Sequence, residues 1–219
     1  MNSDWRKRYK AYLFDLDGTL IDTAPDLNVA LNHCLVAAGL APVNETLTRH
    51  WVGHGARVMI QQALDFQSAQ HATQPLFDAF IAYYEQHSAV LSAPYPSVVA
   101  TLDQLLAAGS VLGVVTNKLE RLSERLLTDI GLRDYFDVVI GGDSTATPKP
   151  NPAPVFKALG ALNVEACDAL FVGDSQTDVL AAQAANLAVV CMRDGYNHGI
   201  DVTTLHADAV IDSFTELLD

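Results

Sequence analysis

Short, mainly apolar segments recur along the chain, and they constrain its fold more than any other feature. Each is bounded by polar residues, which is typical of a strand buried on both faces of a sheet. Helical patterns separate most of these segments, and such alternation predicts a parallel α/β sheet with right-handed crossovers. The predicted strands are Ala11–Phe14, Val111–Val115, Phe136–Ile140, Ala169–Val172 and Ala188–Met192.

The segment 22–91 interrupts this alternation because it contains helical patterns without a buried strand. Its first helix is predicted to begin near Pro25 and to end at Gly39, and two more are predicted over 57–64 and 75–88. The sequence therefore predicts an α/β fold with a Rossmann-like parallel-sheet core, formed by residues 1–21 and 92–219. An all-helical cap domain is predicted as an insertion over 22–91.

The net charge of the chain limits its partners. The formal charge of -13 repels nucleic acid and anionic membrane surfaces. The basic cluster from Arg6 to Lys10 is short, and we expect it to be a solvated terminus. No segment approaches the roughly 18 to 20 apolar residues of a membrane span, and the first ten residues do not resemble a signal peptide. We expect a soluble cytoplasmic protein, monomeric or homodimeric, without a nucleic-acid or membrane partner.

The cysteines agree with a reducing compartment. Cys34, Cys167 and Cys191 are odd in number and far apart in the sequence. They have neither the spacing of a disulfide framework nor that of a zinc site. We therefore expect three reduced core residues.

Polar clusters follow four of the predicted strands. Reactive groups of open parallel sheets gather at the carboxyl ends of the strands, where the loops converge on a crevice. We therefore expect these clusters to lie close together in the folded chain. In chain order they are Asp15 to Thr19, Thr116 to Lys118, Lys149 to Pro152 and Gly173 to Asp178.

In this order, the four clusters resemble the motifs of the haloacid dehalogenase-like hydrolase superfamily, and the resemblance spans essentially the whole chain. It implies that Asp15 is a nucleophile that forms an aspartyl-phosphate. Asp17 would protonate the leaving oxygen and then serve as base for the attacking water. Thr116, Asn117 and Lys149 would hold the phosphoryl oxygens, whose charge spreads in the transition state.

The same carboxylates predict a cation. Several carboxylates close together would repel one another and an anionic substrate unless a hard cation lay among them, and Mg²⁺ prefers oxygen ligands. We expect Asp15, the Asp17 backbone carbonyl and Asp174 to be its ligands, and Asp178 to orient them. Asp17 and Asp174 also favour phosphate transfer over dehalogenation, since a dehalogenase needs neither a leaving-oxygen acid nor a metal.

Two further segments indicate the substrate. Trp51 to Arg57 resembles the substrate-specificity loop of phosphoglycolate phosphatases, and Gly195 to Gly199 matches a late glycine-aromatic motif of the same family. The resemblance implies that a small phosphomonoester, 2-phosphoglycolate, is hydrolysed to glycolate and phosphate. Glycine-flanked backbone amides and an arginine would hold the carboxylate. The predicted residues are Gly53, His54, Gly55 and Arg57.

Several alternatives stay open at this point. The substrate could be another small phosphate, such as an amino-sugar 6-phosphate, or the chain could be a phosphosugar mutase. A protein of a different class would be a non-catalytic module that binds a phosphorylated ligand. Individual residues also have simpler roles available: the acidic residues and Thr116-Asn117 could be helix caps, Lys149 a surface lysine, and Tyr196 and His198 packing and surface residues.

Overall fold

The computed structural model describes residues 5–218, so residues 1–4 and 219 of the predicted core lie outside it. Six of its strands form one parallel sheet in the order β5-β4-β1-β6-β7-β8, and the other two form a small antiparallel pair. In chain order the strands are β1 (Ala11–Phe14), β2 (Ile21–Asp22), β3 (Ala93–Pro94), β4 (Val111–Val115), β5 (Val138–Ile140), β6 (Ala169–Gly173), β7 (Ala188–Met192) and β8 (Ala209–Ile211).

Strand β1 shows why these segments form a doubly covered sheet. Successive side chains of a strand point to opposite faces. Tyr12 and Phe14 accordingly pack in one apolar cluster, and Ala11 and Leu13 pack in another. Both faces need a covering layer of helices, which explains the near-continuous apolar character of the strand.

Helices supply that layer and also form the insertion. They are α1 (Ala24–Ala37), α2 (Glu45–Trp51), α3 (Ala56–Phe66), α4 (Thr73–His87), α5 (Val98–Ala107), α6 (Glu120–Ile130), α7 (Ala153–Leu162) and α8 (Gln176–Ala184). Helices α5 and α6 contribute to the first apolar cluster, and α7 and α8 to the second. Helix α6 ends at Gly131, whose φ of +80° is the left-handed conformation that glycine tolerates at the end of a helix.

The insertion lies between the two strands of the antiparallel pair. Helices α1 to α4 leave the core after β2 and return at β3, where Ile21 pairs with Pro94. They bury a third apolar cluster of their own, to which the core contributes Leu122 and Tyr196. The predicted fold class, a parallel α/β core with a helical insertion, is therefore confirmed.

Some details differ from the prediction. Strand β5 begins at Val138, two residues later than predicted, and a single 3-10 turn, Arg133–Tyr135, lies before it. Helices α2 and α7 and strand β8 were not predicted from the sequence. Helix α2 buries only Thr48 and so has no apolar stripe, and β8 is a three-residue edge strand.

The surface also corrects one prediction. Cys34 and Cys191 are buried and free, but Cys167 is free and exposed. It lies in a one-turn helix, Ala166–Asp168, just before β6, and not in the core. The basic residues between 6 and 10 are exposed, as expected. Among residues 5–218, no helix has the length and apolar character needed to cross a membrane.

Candidate active site

The strand register brings the predicted clusters to one edge of the sheet. Phe14, the last residue of β1, is level with Val114 of β4 and Val172 of β6. The side chains that follow these parallel strands therefore emerge beside one another. Asp15, Thr116 and Asp174 are the first residues after β1, β4 and β6.

Three buried carboxylates form the centre of the site. Asp15, Asp174 and Asp178 each place one oxygen within 4.8 Å of the others. Burial, followed by the nearby charges of Asp178 and Asp17, raises the pKa of Asp15 to about 7, although Lys149 opposes the shift. Burial and then Asp178 and Asp15 also raise the pKa of Asp174 well above its usual value. Burial thus disfavours the ionised forms of Asp15 and Asp174, and one neighbouring cation does not offset this.

Lys149 is that cation. Its Nζ lies 2.6 Å from Asp178 Oδ1 and 3.1 Å from Asp15 Oδ1, and the residue is only 3% exposed. Burial alone would lower the pKa of Lys149, but the charges of Asp15 and Asp178 raise it, so the ammonium stays charged. A simple surface role for this lysine is excluded.

Asp178 links the acidic cluster to the backbone at the start of α8 and to Lys149. Its Oδ2 accepts hydrogen bonds from the backbone N–H groups of Asp174, at 3.2 Å, and Ser175, at 3.0 Å. The second of these contacts belongs to a capping box at the start of α8. Because Oδ1 accepts from Lys149, both Asp178 oxygens have protein donors. Asp178 therefore caps α8 and also contacts Lys149 and the backbone of Asp174.

Asp174 is held by residues that the sequence analysis did not assign to the site. Thr19 Oγ1 donates to Asp174 Oδ1 at 2.7 Å, and the backbone N–H of Tyr196 donates to Oδ2. A Cβ on Gly18, where φ is +86°, would lie 2.5 Å from Asp174 Oδ2, and one on Gly195 would lie 2.1 Å from Asp174 Cβ. Only glycine fits at either position without a shift of its neighbours.

Asp17 faces a second buried lysine. Lys118 Nζ donates to Asp17 Oδ1 at 2.9 Å and lies 3.2 Å from Oδ2. The Tyr84 ring of helix α4 lies 4.5 Å from the same nitrogen. Burial would lower the pKa of Lys118, but Asp17 raises it, so this lysine is also charged. No role was predicted for Lys118 from the sequence, and the signal that could have indicated one is its place directly after Thr116-Asn117.

Thr116 and Asn117 do not cap the following helix. Thr116 is buried, and Asn117 Nδ2 donates to the carbonyl oxygens of Gly53, at 2.9 Å, and Lys149, at 3.0 Å. Helix α6 is capped instead by Asp143, whose Oδ1 accepts from the backbone N–H of Glu120. Asn117 thus joins the core directly to the cap.

A cavity of about 190 Å³ lies between the cap and the strand ends. Asp15, Asp17 and the segment from Thr116 to Lys118 line it on the core side. On the cap side, all four predicted substrate-binding residues line it, together with apolar side chains such as Phe80. The structure therefore brings the predicted core and cap residues to one cavity, with Asp174, Asp178 and Lys149 adjoining Asp15.

The cap loop adopts conformations that suit its glycines. Gly53 and Gly55 have φ angles of +117° and +88°. The His54 ring between them stacks on His198, with centroids 4.6 Å apart. Burial, and then His198, lowers the pKa of His54. Arg57 Nη1 donates to Gln74 Oε1 at 2.6 Å, so the arginine side chain is held within the cap.

Known proteins are similar in sequence to this chain. The family described as haloacid dehalogenase-like hydrolase matches residues 12–192. A phosphoglycolate phosphatase of Yersinia pseudotuberculosis is 41% identical over 218 residues, which cover 97% of this chain and 93% of the relative. A phosphoglycolate phosphatase of Colwellia psychrerythraea is 40% identical, with 94% of each chain covered.

A solved structure is similar over the same extent. The crystal structure of a predicted phosphoglycolate phosphatase from Haemophilus somnus 129PT superposes with a TM-score of 0.92 at 35% identity. The superposition covers 97% of each chain. The similarity therefore includes both the parallel sheet and the helical insertion.

Proposed function

Since this chain belongs to the haloacid dehalogenase-like hydrolase family, we propose that it is a phosphatase that cleaves 2-phosphoglycolate with Asp15 as nucleophile. The family was predicted from the four polar clusters, and the comparisons confirm it. The observation that carries the proposal is the meeting of Asp15 and Asp17 at one cavity beneath the cap. The full-length relatives named phosphoglycolate phosphatase support the choice of substrate.

The acidic cluster fits a hard divalent cation. Its donors are carboxylate oxygens, and the raised pKa values of Asp15 and Asp174 indicate negative charge that a cation would stabilise. Asp15, Asp174 and the Asp17 backbone carbonyl would hold Mg²⁺, while Asp178 keeps its protein donors. Bound Mg²⁺ would offset the charge of the phosphoryl oxygens and allow the anionic nucleophile and substrate to approach.

The protein groups account for bond making and proton transfer. A carboxylate oxygen of Asp15 attacks phosphorus, and the bond from phosphorus to the leaving oxygen breaks. Asp17 gives its proton to that oxygen, so that glycolate leaves as the alcohol. Water then attacks the phosphorus of the aspartyl-phosphate and gives a proton to Asp17. This second step releases inorganic phosphate and restores both carboxyl groups.

The surrounding groups lower the cost of these steps. Lys149 offsets negative charge beside Asp15, and the buried Thr116 hydroxyl lies at the cavity, where it can donate to a phosphoryl oxygen. Lys118 holds the Asp17 side chain in position. The cap covers the site and limits the access of bulk water, which strengthens electrostatic interactions there.

The size of the cavity favours a small leaving group. Its volume of about 190 Å³ is below the roughly 300–1,000 Å³ of typical pockets for larger ligands. This supports 2-phosphoglycolate over an amino-sugar 6-phosphate or a phosphosugar mutase substrate. The buried nucleophile and lysine, together with the half-buried acid, argue against a binding module without catalysis.

A panel of phosphorylated metabolites tests the proposal. With Mg²⁺ present, release of inorganic phosphate is expected to be fastest, by kcat/KM, from 2-phosphoglycolate, and slower from glucosamine 6-phosphate and glucose 6-phosphate. Asp15→Asn and excess EDTA should each abolish turnover. A preference for the hexose phosphates would contradict the substrate, and full activity of Asp15→Asn would contradict the mechanism.

A further inference from the structure

Lys118 lies where it could contact the substrate as well as Asp17. It is only 8% exposed, yet it lines the cavity beneath the cap. A lysine ammonium has three N–H donors. Two of them are directed to the carboxylate oxygens of Asp17, at 2.9 and 3.2 Å. The Tyr84 ring lies 4.5 Å from the same nitrogen. This buried, charged group therefore borders the cavity where the substrate must bind.

The distance from Asp17 determines what this donor can contact. The leaving oxygen must come within about 2.6 to 3.2 Å of the Asp17 carboxyl group to receive its proton. In 2-phosphoglycolate the carboxylate is attached to the carbon that carries this oxygen. A substrate placed for proton transfer therefore brings its carboxylate beside Lys118 Nζ, which is itself in hydrogen-bond contact with Asp17.

Among the described residues, Arg57 also lines the cavity, but it is less well placed than Lys118 to bind the substrate carboxylate. Arg57 donates to Gln74 at 2.6 Å, and its guanidinium carbon lies 3.9 Å from the centre of the Phe77 ring. Both partners belong to the cap helix α4. Lys118 instead lies on the core side, next to the residue that protonates the leaving group.

We propose that Lys118 binds the substrate carboxylate and makes the site selective for phosphomonoesters with a carboxylate on the carbon next to the ester oxygen. This inference rests on the proposed function and assigns to Lys118 the recognition first expected of Arg57. A leaving group without a carboxylate gains no charge-assisted hydrogen bond from this ammonium. The buried position strengthens the charge-assisted hydrogen bond, since solvent competes weakly there.

Two substrates of matched length separate recognition from positioning. 2-Phosphoglycolate and ethyl phosphate have the same number of carbon atoms, but only the first carries a carboxylate. Lys118→Met should lower the ratio of their kcat/KM values by about 10- to 100-fold, as expected for loss of a hydrogen bond to a charged group. Lys118→Arg should retain much of the ratio. Lys157→Met, which alters an exposed lysine of α7 away from the cavity, should leave it unchanged.

Each contrary result has a distinct meaning. If Lys118→Met lowers both kcat/KM values equally, Lys118 acts on Asp17 alone and the inference fails. It also fails if Arg57→Met, and not Lys118→Met, removes the preference. If the wild-type enzyme shows no preference for 2-phosphoglycolate over ethyl phosphate, the proposed substrate is wrong, and the inference fails with it.

A binding experiment covers the case in which Lys118→Met has no turnover with either substrate. Calorimetry would compare Asp15→Asn with the double variant Asp15→Asn/Lys118→Met, using the same two ligands with Mg²⁺ present. We expect the double variant to lose about 10- to 100-fold in affinity for 2-phosphoglycolate, with little change for ethyl phosphate. Equal losses, or no loss, would overturn the assignment.

Discussion

Replacement of Lys149 by methionine tests whether the buried carboxylates of the acidic cluster destabilise the fold when their ammonium partner is removed. The variant keeps a long apolar side chain but leaves Asp15 and Asp178 without the ammonium that lies 3.1 and 2.6 Å from them. Removing one partner of a buried ion pair typically costs about 3–5 kcal/mol, because the remaining charge stays buried. With a slope of about 1–3 kcal/mol per molar urea, the unfolding midpoint should fall by roughly 1–5 M.

A second lysine of the chain provides the matched control. Lys10 Nζ lies 2.6 Å from Asp168, the same distance as Lys149 from Asp178, but the side chain of Lys10 is 74% exposed and that of Lys149 is 1% exposed. Water and salt screen the exposed pair. Lys10→Met should therefore leave the unfolding midpoint nearly unchanged.

Urea unfolding, followed by circular dichroism in EDTA at pH 8, would give the unfolding midpoints of both variants and of the wild type. Mg²⁺ should restore part of the stability of Lys149→Met, because a cation bound by the carboxylates replaces some of the lost positive charge. Equal midpoint shifts for the two variants would refute the reasoning, since burial would then make no difference. Turnover by Lys149→Met at the wild-type rate would refute the catalytic role of Lys149.

Three further results are expected. Since burial raises the pKa of Asp15 from 3.8 to about 7, the folded protein binds this proton more tightly. In EDTA, its free energy of unfolding relative to Asp15→Asn should therefore fall as the pH rises from about 4 to about 7; urea midpoints across this range would check the sign. Gly18→Ala should weaken Mg²⁺ binding measured by calorimetry, whereas Gly131→Ala, with a similar φ but open space, should not. Tyr196→Phe should raise KM and the Mg²⁺ concentration for half-maximal rate.

The parallel sheet and the meeting of the polar clusters were predictable for a physical reason. A strand covered on both faces must be apolar along its whole length, as in Ala11–Phe14, and parallel strands place their carboxyl ends at one edge. Asp15, Thr116 and Asp174 could therefore be placed together without coordinates. The exposed Cys167 and the helix over 45–51 were not predictable in this way, because short elements with few buried residues carry no periodic signal.

Tyr196 illustrates what sequence patterns could not supply. Its backbone N–H donates to Asp174, and its hydroxyl donates to Asp22 and accepts from the backbone N–H of Ala24, where the first cap helix begins. The guanidinium of Arg49, in the cap, lies 5.4 Å from the centre of its ring. Partners separated by 22 and 172 residues leave no period in the sequence. One residue therefore contacts a candidate metal ligand, the segment that joins core to cap, and the cap itself. Tyr196→Phe tests whether the position of the cap acts on the carboxylate that would bind the cation.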